Sequence, residues 1–244
     1  MELRGKRFLV TGATGGIGGA LAATLRDRGA RVVVHGRSPA RLAALADAGF
    51  ETIDGALDSD GATARLAARV LVGGPLDGLV NNAAIQTLAD FRADGDIDGQ
   101  LAAIDQELAV NLRAPIHLTR RLLPTLLARP DAAIVNISSG LALVPKQSAP
   151  VYCATKAALH SFSTSLRWQL AGSSVRVFEA LPPIVDTAMT AGRGRGKLSP
   201  ARCAEAIVRG VERNRATIYV GKSAVLALLV RLSPGLAARI LRSS

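Results

Sequence analysis

Tyr152 and Lys156 stand four residues apart, and Ser139 precedes the tyrosine by thirteen positions. Residues i and i+4 share one face of a helix, so the phenol and the ammonium lie side by side. A free phenol has a pKa of about 10 and is a poor acid or base at neutral pH. A neighbouring cation favours its ionised form, and lowering that pKa by roughly 3 units requires about 4 kcal/mol. These residue types in this order read as a proton-transfer site. The competing reading is an ordinary helical Tyr/Lys pair.

Such a site needs a scaffold, and the N-terminal third supplies one. The segment RFLV (7–10) reads as a short buried strand, followed by TGATGGIG (11–18) and an apolar-periodic helix from Ile17 to Leu25. Glycines at 12, 16 and 18 allow a tight turn and let backbone approach a pyrophosphate placed at that helix N-terminus. A second strand, RVVVH (31–35), follows at the spacing of a βαβ unit. At its tip stands His35-Gly36-Arg37, with no carboxylate to bind a ribose 2′-hydroxyl. A guanidinium there suits a 2′-phosphate, which favours NADP(H) over NAD(H). The alternative for Arg37 is a solvated surface side chain.

The 244 residues are enough for one large domain with a sizeable core. Strands are expected near 7–11, 31–35, 76–80, 132–137, 174–180 and 216–220. The stretches between them are Ala/Leu/Arg-rich and helical in period, so the expectation is an α/β, doubly wound parallel sheet spanning 1–244. Cys153 and Cys203 carry no metal or disulfide spacing, and His35, His117 and His160 share no common pattern, so no metal is expected. Aromatic residues make up 3% of the chain, and no nucleic-acid motif is present. The apolar stretch Ala224 to Val230 is too short to span a bilayer, and the charged Met1–Arg7 segment is no signal peptide, so a cytoplasmic location is expected. Residues 191–244 hold eleven Arg and Lys against Glu205 and Glu212, and so carry nine of the eleven net positive charges. This basic C-terminal part fits an anionic substrate, a membrane surface, an acidic partner or simply a solvated face.

The landmarks TGATGGIG (11–18), NNAA (81–84), Asn111 in VNLRAP, ISS (137–139), YCATK (152–156) and LPPIVDT (181–187) resemble those of the short-chain dehydrogenase/reductase family over nearly the whole chain. Within it, VNNAAIQ (80–86), PPIVDTAM (182–189) and RLSPGLAARIL (231–241) are similar to the oxidoreductases named for D-alanine esterification of teichoic acids. The resemblance implies a Rossmann-type sheet and an NADP(H)-dependent enzyme acting on a small-molecule carbonyl or alcohol. It implies Tyr152 as general acid/base, with Lys156 lowering its pKa and holding the nicotinamide ribose. Ser139 would steady the substrate oxygen, and Asn111 would hold a water in the proton relay. Cofactor contacts are implied for Gly12, Thr14, Gly16, Ile17, Gly18, Arg37, Asp58, Asn82, Ala83, Ala84, Pro182, Val185 and Thr187, besides Tyr152 and Lys156. The helical segments 98–129 and 151–172, the latter with Phe162, Leu166 and Trp168, imply a homodimer or homotetramer.

Two positions depart from the family pattern. Pro183 replaces a glycine and stiffens the loop beside the nicotinamide. Ala84 replaces the glycine of NNAG and crowds the strand end. Pro115, four residues after Asn111, has no N–H for the Asn111 carbonyl, which frees that carbonyl for water and bends the helix. The Gly/Arg-rich segment Thr187 to Pro200, with Arg193 and Arg195, is expected to be a mobile cover over the substrate, with the arginines either gripping an anion or facing solvent. Two further functions stay open: the same site used for dehydration, epimerisation or cyclisation, and a non-catalytic NADP-binding regulator.

Overall fold

The computed structural model describes residues 1–88, 90–92 and 95–242. The strands are β1 (Arg7–Val10), β2 (Arg31–Gly36), β3 (Glu51–Asp54), β4 (Gly78–Asn81), β5 (Ala132–Ile137), β6 (Val175–Leu181) and β7 (Thr217–Tyr219). They form one sheet in the order β3-β2-β1-β4-β5-β6-β7, with every neighbouring pair parallel. Parallel strands need covering on both faces, which explains why RFLV and VVVH are continuous apolar runs rather than alternating ones. Successive side chains still point to opposite faces. Phe8 and Val10 pack under α1 (Gly16–Asp27) and α7 (Pro200–Glu212), whereas Leu9 joins the core under α3 (Asp60–Val72), α5 (Ala114–Leu127) and α6 (Pro150–Gln169).

The sheet has seven strands where six were expected. The added one, β3, lies at the edge, and only Ile53 of its ETID sequence is buried. An edge strand with one core residue has no apolar run to betray it. The expected helical segment 98–129 is divided. α4 (Ile97–Leu108) leads through a π-helical turn, Ala109–Arg113, into α5, and the Ala114 N–H bonds the Ala109 carbonyl. The disturbance falls where Pro115 deprives the ladder of a donor, as its ring chemistry requires.

Strand order reverses between β1 and β4, so the loops after these two strands diverge and leave a crevice at the C-terminal edge of the sheet. α2 (Pro39–Asp47) follows β2, and at the C-terminal end of the chain the hairpin of α8 (Ser223–Leu232) and α9 (Pro234–Arg242) folds back toward the same edge. The Gln147 N–H donates to the Arg242 carbonyl at 3.2 Å, tying α9 to the loop after β5. No helix among the described residues is long and apolar enough to cross a membrane.

Candidate active site

The crevice is a cavity of about 1130 Å³. One end is built from the glycine loop. Gly12 has φ of +66°, and a Cβ there would sit 2.8 Å from Ala83 Cα. A Cβ on Gly18 would lie well inside contact distance of Asn82 Nδ2 and the Gly12 carbonyl oxygen. The loop is locked to the end of β4. Thr11 Oγ1 accepts from the Asn82 and Ala83 N–H groups at 3.0 and 3.1 Å, while Asn82 Nδ2 donates to the carbonyls of Thr11 (2.8 Å) and Gly12 (3.2 Å). Helix α1 begins at Gly15 without a side-chain cap, and Gly15, Gly16, Ile17 and Gly18 line the cavity. Uncapped first-turn amides at a dipole's positive end make an anion cradle, which fits a pyrophosphate. Thr14, Arg37 and Asp58 line the same end, as do Ala83 and Ala84. Ala84 adopts no left-handed backbone, so it fits the glycine's place without φ strain.

The other end holds Ser139, Tyr152 and Lys156. Ser139 closes β5 and caps the short turn that follows, its Oγ accepting from the Leu141 N–H at 3.1 Å. That leaves its hydroxyl proton to donate, and Ser139 and Tyr152 line the same cavity. Tyr152 stands in the first turn of α6 with Lys156 one turn later. Lys156 is buried and donates from Nζ to the Ile137 carbonyl at 2.9 Å. Pro182, Pro183, Val185 and Thr187 close the cavity beside them.

Burial, and secondarily Cys153, push the Tyr152 pKa above the ordinary phenol value, with the Ser139 hydrogen bond opposing. Lys156 is lowered to about 8 by burial, while Glu107 and Glu179 pull it the other way. Burial is the largest influence on both groups.

Asn111 takes a position that residue type alone did not indicate. It is wholly buried behind the cavity wall, with Nδ2 donating to the Ile85 carbonyl (2.8 Å) and Thr155 Oγ1 (3.3 Å), and Oδ1 accepting from the Ile85 N–H (2.8 Å). Its side chain braces the loop after β4 against α6. Any part in a water relay falls to its backbone carbonyl, which Pro115 cannot pair.

The covering segment is also more ordered than expected. Val185 and Leu198 form a parallel bridge, the Asp186 N–H donates to the Leu198 carbonyl at 2.9 Å, and Lys197 Nζ reaches the Thr190 carbonyl at 2.7 Å. The segment is a strap closed at its base.

A family model described as short chain dehydrogenase matches residues 6–197. This chain belongs to the short-chain dehydrogenase family. The chain is 42% identical over 193 residues to the uncharacterized oxidoreductase DltE of Bacillus subtilis (strain 168), covering 78% of this chain and 75% of that one. A short chain dehydrogenase from Burkholderia cenocepacia J2315, solved in complex with NADP, superposes with a TM-score of 0.86 at 28% identity, covering 99% of both chains. A short-chain dehydrogenase/reductase from Burkholderia phymatum, solved in complex with NAD, shares the fold with a TM-score of 0.83 at 24% identity, covering 100% of this chain and 97% of that one.

Among the cavity-lining residues of this short-chain dehydrogenase that sequence reading missed, four are polar and bear on the chemistry. Arg41 lies in the first turn of α2, four residues after Arg37, and its Nη1 reaches the Thr14 carbonyl at 3.5 Å. The i, i+4 spacing to Arg37 was a usable signal. Lys146, Lys222 and Ser223 also line the cavity. They come from segments about 75 residues apart and carry no local pattern that joins them.

Proposed function

We propose that this short-chain dehydrogenase is an NADP(H)-dependent oxidoreductase that interconverts a carbonyl and a hydroxyl on a small molecule, with Tyr152 as acid/base. The observation that carries the reading is the convergence of Ser139, Tyr152 and the buried Lys156 on the lining of one cavity. A dinucleotide bound with its pyrophosphate on the glycine loop would place its nicotinamide beside Pro182, Val185 and Thr187, where it would supply a hydride to a carbonyl carbon or take one from an alcohol. Tyr152 gives its proton to the carbonyl oxygen, and the Ser139 hydroxyl steadies that oxygen. Lys156 maintains positive charge behind the phenol as the proton leaves.

Gly12, Thr14, Gly16, Ile17 and Gly18 hold the pyrophosphate, Asn82, Ala83 and Ala84 the adenosine side, and Pro182, Val185 and Thr187 the nicotinamide side. Asp58 stands at the adenine end. Preference for NADP(H) rests on Arg37 and Arg41, which both line the cavity where a 2′-phosphate would emerge. The enzyme acts in the cytoplasm as a homodimer or homotetramer. The exposed Ile97, Leu101 and Leu108 of α4 and Trp168 of α6 support that assembly.

A cofactor-consumption screen with ketones, aldehydes and quinones tests the reading. Carbonyl-dependent oxidation of NADPH, faster than of NADH, is expected. Absence of turnover with every carbonyl, in a preparation that binds NADPH, would overturn it.

A further inference from the structure

The cavity extends past Tyr152 into a compartment walled by three distant segments. Lys146 enters from the loop after β5, Arg193 and Arg195 from the strap, and Lys222 with Ser223 from the start of α8. Four cations therefore line one space, and among the described residues none of them makes an ion pair with a carboxylate. Lys197, on the same strap, shows the contrast. It is paired with Asp186 at 3.3 Å and is absent from the lining. Asp58 is the one carboxylate among the described lining residues, and it stands at the far, adenine end.

The cations feel one another and the site. Burial and the charge of Arg193 both lower the Lys146 pKa, and Arg193 also acts on Tyr152. Arg193 is held in place by donating to the Met189 carbonyl. Lys222 Nζ lies 3.7 Å from where a Cβ on Gly196 would be, so α8 and the strap meet there. Like charges gathered in a half-enclosed space repel unless a counter-charge joins them.

A second feature points to the same ligand independently. The Ser223 hydroxyl is buried, lines the cavity and has no hydrogen-bond partner among the described residues. A buried polar group without a partner is unfavourable, and a ligand oxygen would satisfy it. It faces Gly140, where an added Cβ would sit 3.4 Å from Ser223 Oγ and 3.2 Å from Leu226 Cδ2. Leu141, Leu226 and Ile240 complete an apolar wall around it.

We infer that the substrate is an amphiphilic anion, whose carboxylate or phosphate is held by Lys146, Arg193 and Lys222 and whose apolar chain lies against Leu141, Leu226 and Ile240. This deepens the carbonyl-reductase reading and rests on it for the position of the reacting carbon. The binding compartment can be tested without turnover.

Binding of decanoate, decyl phosphate, decanol and inorganic phosphate is measured by calorimetry on the full chain with saturating NADP⁺. Decanoate or decyl phosphate is expected to bind at least about tenfold more tightly than decanol, the scale of a charge-assisted contact. The better of the two identifies the head group. Lys146→Met combined with Arg193→Met retains the stems and is expected to remove most of that preference. Ser223→Ala is expected to raise the melting temperature of the free protein while weakening the anion. On the unaltered chain, 0.5 M NaCl is expected to erode the anion's advantage over decanol, which gives a readout independent of how the variants fold. Decanol binding as tightly as both anions would overturn the inference, and so would inorganic phosphate matching decyl phosphate. Anion binding that survives in a protein inert toward every carbonyl would sink the reductase reading and leave this compartment standing.

Discussion

Lys156 carries its ammonium 5.6 Å from the centre of the Tyr152 ring while donating to the Ile137 carbonyl at 2.9 Å. The cation is thus anchored by the end of β5 and lies beside the phenol's ring, with Ser139 on the same cavity lining as the Tyr152 hydroxyl. Removing that hydroxyl isolates the proton-transfer role. Tyr152→Phe is expected to lower turnover at least about 10²-fold, with NADPH affinity retained in a fluorescence titration. Unchanged turnover would remove Tyr152 from the reaction.

The two arginines at the adenine end predict cofactor choice. Arg37→Ala and Arg41→Ala should each weaken NADPH by roughly tenfold or more, the scale of a charge-assisted hydrogen bond, and leave NADH nearly unaffected. Dissociation constants for both nucleotides provide the check. Equal losses for the two would show that neither guanidinium meets a 2′-phosphate.

Gly18 sits where helix propensity and packing oppose each other. Alanine would gain about 1 kcal/mol from the helix, yet its methyl would collide with Asn82 Nδ2 and the Gly12 carbonyl. Overpacking of this kind costs about 1–3 kcal/mol, and a backbone oxygen has little room to move. Gly18→Ala is therefore expected to lower the melting temperature and to weaken NADPH as the loop shifts. A more stable variant with full affinity would mean that the loop is not held as described.

His35 predicts a pH dependence. It is buried at the end of β2, with Nε2 donating to the Gly55 carbonyl at 3.1 Å and Nδ1 without a partner among the described residues. Burial lowers its pKa from 6.5 to about 4. Between those values the unfolded chain takes up a proton that the folded one refuses, so this group's contribution falls as pH drops from 6.5 toward 4, by about 3 kcal/mol in all. The carboxylates of Glu107 and Glu179 are raised by burial and act with the opposite sign, since they lose stability as pH rises through the window above their ordinary value. Comparing urea unfolding of the wild type and His35→Leu across pH 4–7 isolates the histidine. The slope should flatten in the variant, and identical slopes would contradict a buried neutral imidazole.

The apolar side chains left exposed on α4 and α6 predict assembly. Trp168 is 72% exposed, whereas Leu166, two residues before it, is buried in the core. Light scattering at micromolar concentration should return a dimer or tetramer, and Trp168→Lys should shift it toward monomer. A monomer in the unaltered protein would contradict the expectation.

Local chemistry settled much of this protein before folding is considered. Tyr152 and Lys156 are one helical turn apart by chain geometry alone, and the glycines of 11–18 permit a turn that other residues forbid. Apolar runs such as RFLV and VVVH announce buried parallel strands, because both faces must be covered. Each of these is a short-range relation, visible within a few residues. What tertiary structure decided lies in relations across long sequence separations. β3 is a strand only because β2 offers it an edge, since ETID has no pattern of its own. The Asn111 side chain is a brace because Ile85 and Thr155 happen to converge on it. Arg193 is legible as part of a cover over the substrate, but Lys146 and Lys222 stand far from it along the chain with no local pattern that joins them. They line one cavity because the loop after β5, the strap and the start of α8 meet at the same edge of the sheet, and burial there works against ionising Tyr152. Desolvation depends on everything that surrounds a group, so no spacing in the sequence could have announced it.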